Sequence, residues 1–179
     1  MKNLTLIWDP LVRLFHWSLV LSFCAAWLSG DDFEKAHIII GYIIVGLVAF
    51  RLVWGFFGSP YARFSQFVKS PAKVVSYIKD IAKGREKRYL GHNPAGGMMI
   101  VFLLLGIAGL CLTGWMYTTD MFWGSDWVEG LHKLLANGLV LCIGLHVTGV
   151  IVASKRHGEN LIKAMFTGKK QSHIEQGQG

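Results

Sequence analysis

Long apolar segments separated by short polar stretches dominate the pattern of this chain. They run over residues 11–29, 36–57, 95–117 and 128–153. Each has about the 20 residues that a helix needs to cross a bilayer core that is about 30 Å thick. Because lipid offers the backbone no hydrogen-bond partners, such segments are expected to be helical. The pattern predicts an all-α integral membrane protein built as a four-transmembrane-helix bundle.

The charged residues predict how this bundle is oriented. The chain has 179 residues, is 53% hydrophobic and carries a net charge of +7. Basic residues concentrate in the long loop, residues 58–94, and in the tail from Lys155, whereas the two short loops are acidic. By the positive-inside rule, both termini and the long loop are expected in the cytoplasm and the short loops on the outer side of a bacterial inner membrane. This arrangement accounts for the positive charge without a nucleic-acid partner.

The segments between and after the spans predict two smaller features. Ser70 and Pro71 are typical of a helix start, and the apolar positions up to Lys83 indicate a short helix on the cytoplasmic membrane surface. Similar apolar positions follow Leu161. We therefore divide the chain into a transmembrane domain, residues 1–154, and a basic cytoplasmic tail, residues 155–179. His157 and His173 in that tail are expected to be solvated.

Four histidines lie near the ends of the apolar segments, where ionisable residues are usually functional. His16 lies about 8 Å inside the first span from the cytoplasmic end and His146 about 11 Å inside the fourth. His37 and His132 both begin spans that enter from the outer side. The four therefore form two pairs at matched depths, His16 with His146 and His37 with His132.

The spacing in the fourth span indicates what these pairs bind. His132 and His146 are 14 residues apart, which places them on one helix face with about 21 Å between them. A zinc site generally needs three or four clustered ligands, whereas two opposed histidines suit the two axial positions of a haem iron. Covalent haem attachment is excluded, since no Cys-x-x-Cys-His run is present. The pattern predicts a dihaem core with two b-type haems that carry electrons rather than bind substrate.

Two arginines are candidates for binding the carboxylates of the inner haem. Arg51 lies 14 residues after His37, and Arg13 lies one turn before His16. Anionic propionates in a low-dielectric site need such cationic partners. The alternative for both arginines is a side chain that reaches out to the aqueous interface.

A set of short motifs resembles the bacterial cytochrome b561 family, which includes the b-type cytochrome subunits of nickel-iron hydrogenases. The matching stretches extend from Trp8 to about Ser154. In order they are Trp8-Asp9-Pro10, Arg13-Leu14-Phe15-His16-Trp17, His37 with Gly41, Arg51-Leu52-Val53-Trp54-Gly55, Gly91-His92-Asn93-Pro94, His132 and His146. The resemblance implies two b haems ligated by the four histidines, and quinone-linked electron transfer. His92 is either part of a helix start with Asn93 and Pro94 or a residue near a quinone headgroup.

Three functions are consistent with these observations. The leading hypothesis is a dihaem subunit that transfers electrons across the inner membrane, between the quinone pool of a respiratory chain and a periplasmic c-type cytochrome or hydrogenase. The alternatives are a stand-alone superoxide:quinone oxidoreductase and a haem-free transporter or membrane anchor. A second copy of the chain is a further candidate partner. The acidic short loops are expected to attract a basic redox partner.

Overall fold

Four long helices and a small assembly at one end of them make up the molecule. The structure is a computed structural model, and it describes residues 4–30 and 32–172. In chain order the elements are β1 (Leu4–Leu6), α1 (Pro10–Ser29), α2 (Glu34–Phe57), a 3-10 turn (Pro60–Ala62), α3 (Phe64–Phe67), α4 (Pro71–Ala82), α5 (Pro94–Tyr117), α6 (Asp126–Arg156), α7 (Leu161–Thr167) and β2 (Lys169–Gln171).

The helices α1, α2, α5 and α6 are long and apolar enough to cross a membrane. Their bounds lie within three residues of the four predicted segments, so the predicted four-helix membrane bundle is confirmed. Many large apolar side chains face outward, among them Leu28 at 79% exposure and Phe57 at 80%. Outward apolar side chains over this length are expected where lipid, rather than water, surrounds the protein.

The side chain of Asp9 caps the start of α1 and links it to the end of α2. Asp9 precedes Pro10, and its Oδ1 accepts a hydrogen bond from the Val12 backbone N–H at 3.0 Å. Its other oxygen accepts from Trp54 Nε1 and from the Ser59 hydroxyl, so it also joins the start of α1 to the end of α2. Burial alone would raise the pKa of Asp9, but these hydrogen bonds outweigh it and hold the pKa below its usual value.

A layer of buried apolar side chains fills the middle of the bundle. Phe23, Ile44, Val48, Ile107 and Leu139 come from all four long helices and pack together. Phe23 follows His16 by seven residues, and Leu139 lies seven residues from each histidine of α6. This layer therefore lies about halfway between the two levels at which the histidines occur.

Both described ends of the chain lie at one end of the bundle, which we call the terminal end; the end with the two short loops is the hairpin end. At the terminal end β1 pairs with β2 in antiparallel register, with Thr5 opposite Lys170. Lys170 is only 5% exposed and forms an ion pair with Glu159 at 3.1 Å. Arg88 pairs with the same carboxylate at 3.1 Å.

The described part of the tail is thus folded, and we call it, together with β1 and the long loop, the terminal cap. The sequence did not predict that Glu159, whose side chain is 8% exposed, binds cations from the long loop and from β2. His173 and the remainder of the tail lie outside the described residues. The predicted surface helix is present as α4, with Val74 and Tyr77 buried and Val75 and Ile78 exposed.

The short helix α3 in the long loop packs against the bundle at two glycines. The sequence did not predict this helix. A Cβ added at Gly97 would lie 2.4 Å from the Phe67 carbonyl oxygen, and one at Gly55 would lie 2.0 Å from the Phe64 ring. Both distances are impossible for a real side chain. The glycines let α3 lie directly on α2 and α5, where it covers the terminal level of the bundle.

Candidate functional site

At the hairpin end, α2 and α6 bring His37 and His132 together as predicted. Their ring centroids are 6.1 Å apart, and the ring planes are inclined by 72°. Bonds from imidazole nitrogen to a metal are about 2 Å long. Two imidazoles on opposite sides of one metal ion therefore have centroids about 6 Å apart, which is the separation found here.

Both imidazoles at this end are oriented by a hydrogen bond at Nδ1. The Nδ1 atom of His37 lies 2.9 Å from the Ala26 carbonyl oxygen, which can only accept, so the nitrogen donates. The Nδ1 atom of His132 lies 3.0 Å from the Thr113 hydroxyl. Because the proton is on Nδ1 in a neutral ring that donates there, Nε2 keeps its lone pair. Histidines that ligate metals usually have this arrangement.

An apolar pocket with two glycines adjoins this pair. His37 and His132 line it together with side chains from the mid-bundle layer, and Gly41 and Gly114 form part of its wall. A Cβ added at Gly41 meets no atom within 4 Å, so the missing side chain leaves open space beside α2. A flat, largely apolar macrocycle fits such a wall.

At the terminal end, α1 carries His16 and α6 carries His146. The Nδ1 atom of His16 is buried and has no hydrogen-bond partner among the described residues. The neighbouring Trp17 stacks on Phe166 of α7, with ring centroids 4.2 Å apart. The terminal cap therefore covers the first helix next to this pair.

Buried donors without acceptors among the described residues lie at the terminal end of the bundle. Arg51 is only 4% exposed, so it does not reach out to the aqueous interface. One of its nitrogens donates to the Ala62 carbonyl at 3.0 Å, while Nη1 is buried without a partner. Arg13 donates from Nη1 to the Phe166 carbonyl, and its Nε is likewise buried without a partner. Buried unpaired donors are costly, and an anionic ligand at this level would satisfy them.

His92 lies between two aromatic rings at the same level. Its ring centroid is 4.5 Å from that of Trp8 and 4.9 Å from that of Phe67. Burial and the nearby Arg51 charge lower the pKa of His92 to about 3, so the ring is neutral. Asn93 caps α5 by accepting from Gly96 N–H at 2.7 Å, which confirms the predicted helix start. The Nδ1 atom of His92 is nevertheless buried and without a partner.

Three features of the hairpin site were missed from the sequence. The role of the Ala26 carbonyl cannot be predicted from the sequence, because every residue has a backbone carbonyl. Thr113 lies in the one long helix without histidine or charge, so nothing marked it as part of a site. A Cβ at Gly114 would lie 3.1 Å from Cε1 of His132, and only the folded structure reveals that close approach.

Comparisons with known proteins give one family and several relatives. The model of the family described as prokaryotic cytochrome b561 matches residues 7–168. A "Probable Ni/Fe-hydrogenase B-type cytochrome subunit" of Rhodobacter capsulatus is 24% identical over 92% of this chain and 80% of its own length. A protein with the same name from Azotobacter vinelandii is 22% identical over 70% of this chain and 64% of its own length. No solved structure matches the chain significantly.

Proposed function

Since the chain belongs to the prokaryotic cytochrome b561 family, we propose that it holds two b-type haems and transfers electrons across the membrane in which its four helices lie. The family and the b-type cytochrome relatives support a haem b electron-transfer role in a multi-pass membrane protein. We further propose the number of haems, their ligands and the redox partners.

The observation that carries this proposal is the geometry of His37 and His132. Their 6.1 Å centroid separation suits two axial ligands of one iron. Both Nδ1 atoms are already hydrogen-bonded, so the Nε2 atoms are left to ligate. Two histidine ligands would leave no position open for substrate, which would suit the site to electron transfer.

The second haem would lie between His16 and His146 at the terminal end. The unpaired nitrogens of Arg51 and Arg13 would suit the two propionate carboxylates. Hydrogen bonds between a guanidinium and a carboxylate are charge-assisted and therefore stronger than neutral ones. The terminal cap would keep water from this haem. Buried Arg51 is the better supported of the two, since Arg13 already donates to Phe166.

The chain's own residues position the two centres and separate them. Each haem, when bound, supplies an iron that gains or loses one electron. His132 and His146 lie about 21 Å apart along α6, from its rise per residue, so the two haems that they would hold would be separated by a similar distance. The mid-bundle layer around Leu139 fills the space between them with apolar side chains, which excludes water from the path.

The redox partners follow from the relatives and from surface chemistry. Relatives named as hydrogenase subunits support a hydrogenase as the partner on the periplasmic side, with a c-type cytochrome as the other candidate. Quinone is the membrane-soluble partner with which such a subunit would exchange electrons. The neutral His92, with its unpaired Nδ1 beside Arg51, is a candidate to contact the quinone headgroup.

Replacing one ligand at a time tests the haem assignment. Redox titration of the purified wild-type protein should show two b-type transitions. His16→Ala and His146→Ala should both remove the same transition, because each leaves one iron with a single axial ligand. His37→Ala should remove the other.

His157→Ala is the matched control, since His157 follows α6 and is not a proposed ligand; it should keep both transitions. A wild-type protein without b-type absorption would contradict the whole proposal. If His16→Ala and His146→Ala removed different transitions, the pairing would be wrong.

The orientation is tested by reporter fusions. The Lys and Arg residues of the long loop, eight in all between Arg63 and Arg88, predict that the terminal end is cytoplasmic. Fusions after Lys35 and after Asp126 should report a periplasmic position, and one after Lys83 a cytoplasmic position. The reverse pattern would overturn the orientation and exchange the sides of the two haems.

The acidic hairpin end is proposed to dock the periplasmic partner. The acidic residues of the two short loops are Asp31, Asp32, Glu34, Asp120, Asp126 and Glu129. Asp31 lies outside the described residues, and Glu129 forms an ion pair with Lys133, so Asp32, Glu34, Asp120 and Asp126 are the described charges that would attract a basic partner. Electron transfer to a purified periplasmic acceptor should slow as salt rises. Changing Asp32 and Asp126 to Asn should weaken that dependence.

A rate that is insensitive to salt and to both substitutions would exclude electrostatic docking. It would favour contact through the exposed apolar side chains of the second short loop, Met121 at 83% and Trp123 at 68% exposure.

A further inference from the structure

Thr113 is the one side chain of α5 that holds a proposed ligand. It lies in the last third of the helix, is only 4% exposed, and has its hydroxyl 3.0 Å from Nδ1 of His132. We propose that Thr113 is a positioning residue that fixes the ring of His132 and sets how strongly this histidine donates to the haem iron. The inference rests on the proposed function, because it concerns one of the four ligands.

The direction of the hydrogen bond follows from the surroundings of the hydroxyl. Thr113 Oγ1 also lies 3.0 Å from the carbonyl oxygens of Gly109 and Leu110. Carbonyl oxygens only accept, and both compete for the single hydroxyl hydrogen. With a haem bound through Nε2, the proton of the neutral His132 ring would be on Nδ1, and a lone pair of Oγ1 would accept from it.

The neighbouring glycine completes the support of the ring. A Cβ at Gly114 would be 3.1 Å from Cε1 of His132, tighter than nearly all real contacts. The imidazole therefore lies against the backbone of α5 on one side and is held at Nδ1 by the adjacent residue. This explains how a helix without a ligand still belongs to the site.

The proposed ligands differ in what Nδ1 meets. His37 donates to a backbone carbonyl, that of Ala26, whereas Nδ1 of His132 meets the Thr113 hydroxyl in addition to the nearby Leu110 carbonyl. An acceptor at Nδ1 increases the basicity of a ligating imidazole and so favours the ferric over the ferrous iron. Only the His132 contact comes from a side chain, so substitution can remove it without moving the backbone.

The test compares substitutions at Thr113 in the intact, haem-loaded protein. Thr113→Val keeps the shape of the side chain but removes the acceptor. The haem whose redox transition is lost in His37→Ala should show a higher midpoint potential and an altered low-spin ferric EPR signal. Its transfer to a haem-scavenging apoprotein should become about tenfold faster, as is typical when such a supporting contact is lost. The other haem should not change.

Two further variants separate this role from a packing role. Thr113→Ser keeps the hydroxyl and should restore the wild-type potential and signal. Thr148→Val is the matched control, because Thr148 makes the same hydrogen bond to the carbonyl four residues earlier, at 2.8 Å to Gly144, but is exposed on α6. It should behave as wild type.

The inference is overturned if Thr113→Val matches Thr148→Val in all three measurements, or if Thr113→Ser is altered as much as Thr113→Val. Should Thr113→Val not assemble, Thr113→Ser decides: a wild-type potential supports the role, and a shifted one contradicts it. Failure of the proposed function would look different, because the wild-type protein itself would then lack two b-type transitions.

Discussion

The structure depends on one constraint: a polar side chain within a bilayer is stable only when its hydrogen-bonding atoms have partners. Four of the seven histidines of this chain lie in the membrane-spanning helices, so eight ring nitrogens there require partners. At the hairpin end the protein itself satisfies one nitrogen of each ring, through Ala26 and Thr113. The second nitrogen of each ring would ligate an iron and would then need no hydrogen-bond partner.

The two ends of the bundle differ in how the polar atoms around their histidines are satisfied. The hairpin pair is held by acceptors from α1 and α5, helices that carry neither of its two histidines. Donors that lack acceptors among the described residues lie at the terminal end, above all Nη1 of the 96%-buried Arg51. Donors of this kind favour an anionic group, and the propionates of a haem would supply it. The terminal cap, held by Lys170, Arg88 and Glu159, encloses that level.

Much of the bundle was predictable because its determinants are local. Hydropathy over 20 residues gave the four helices, and the 14-residue spacing of His132 and His146 gave one shared face. The terminal cap was not predictable in this way. The ion pairs of Glu159 join residues 71 and 11 positions apart, to Arg88 and Lys170, and no periodicity reports such contacts. Thr113 was missed for the same reason, since its role depends on a neighbour on another helix.

The central claim is that each pair of histidines holds one b-type haem, and haem quantitation tests it most directly. The pyridine haemochrome of the purified protein, divided by its peptide concentration, should give about two haems b per chain. A value near one would contradict one of the two sites, and a value near zero in protein that is folded and supplied with haem would contradict both.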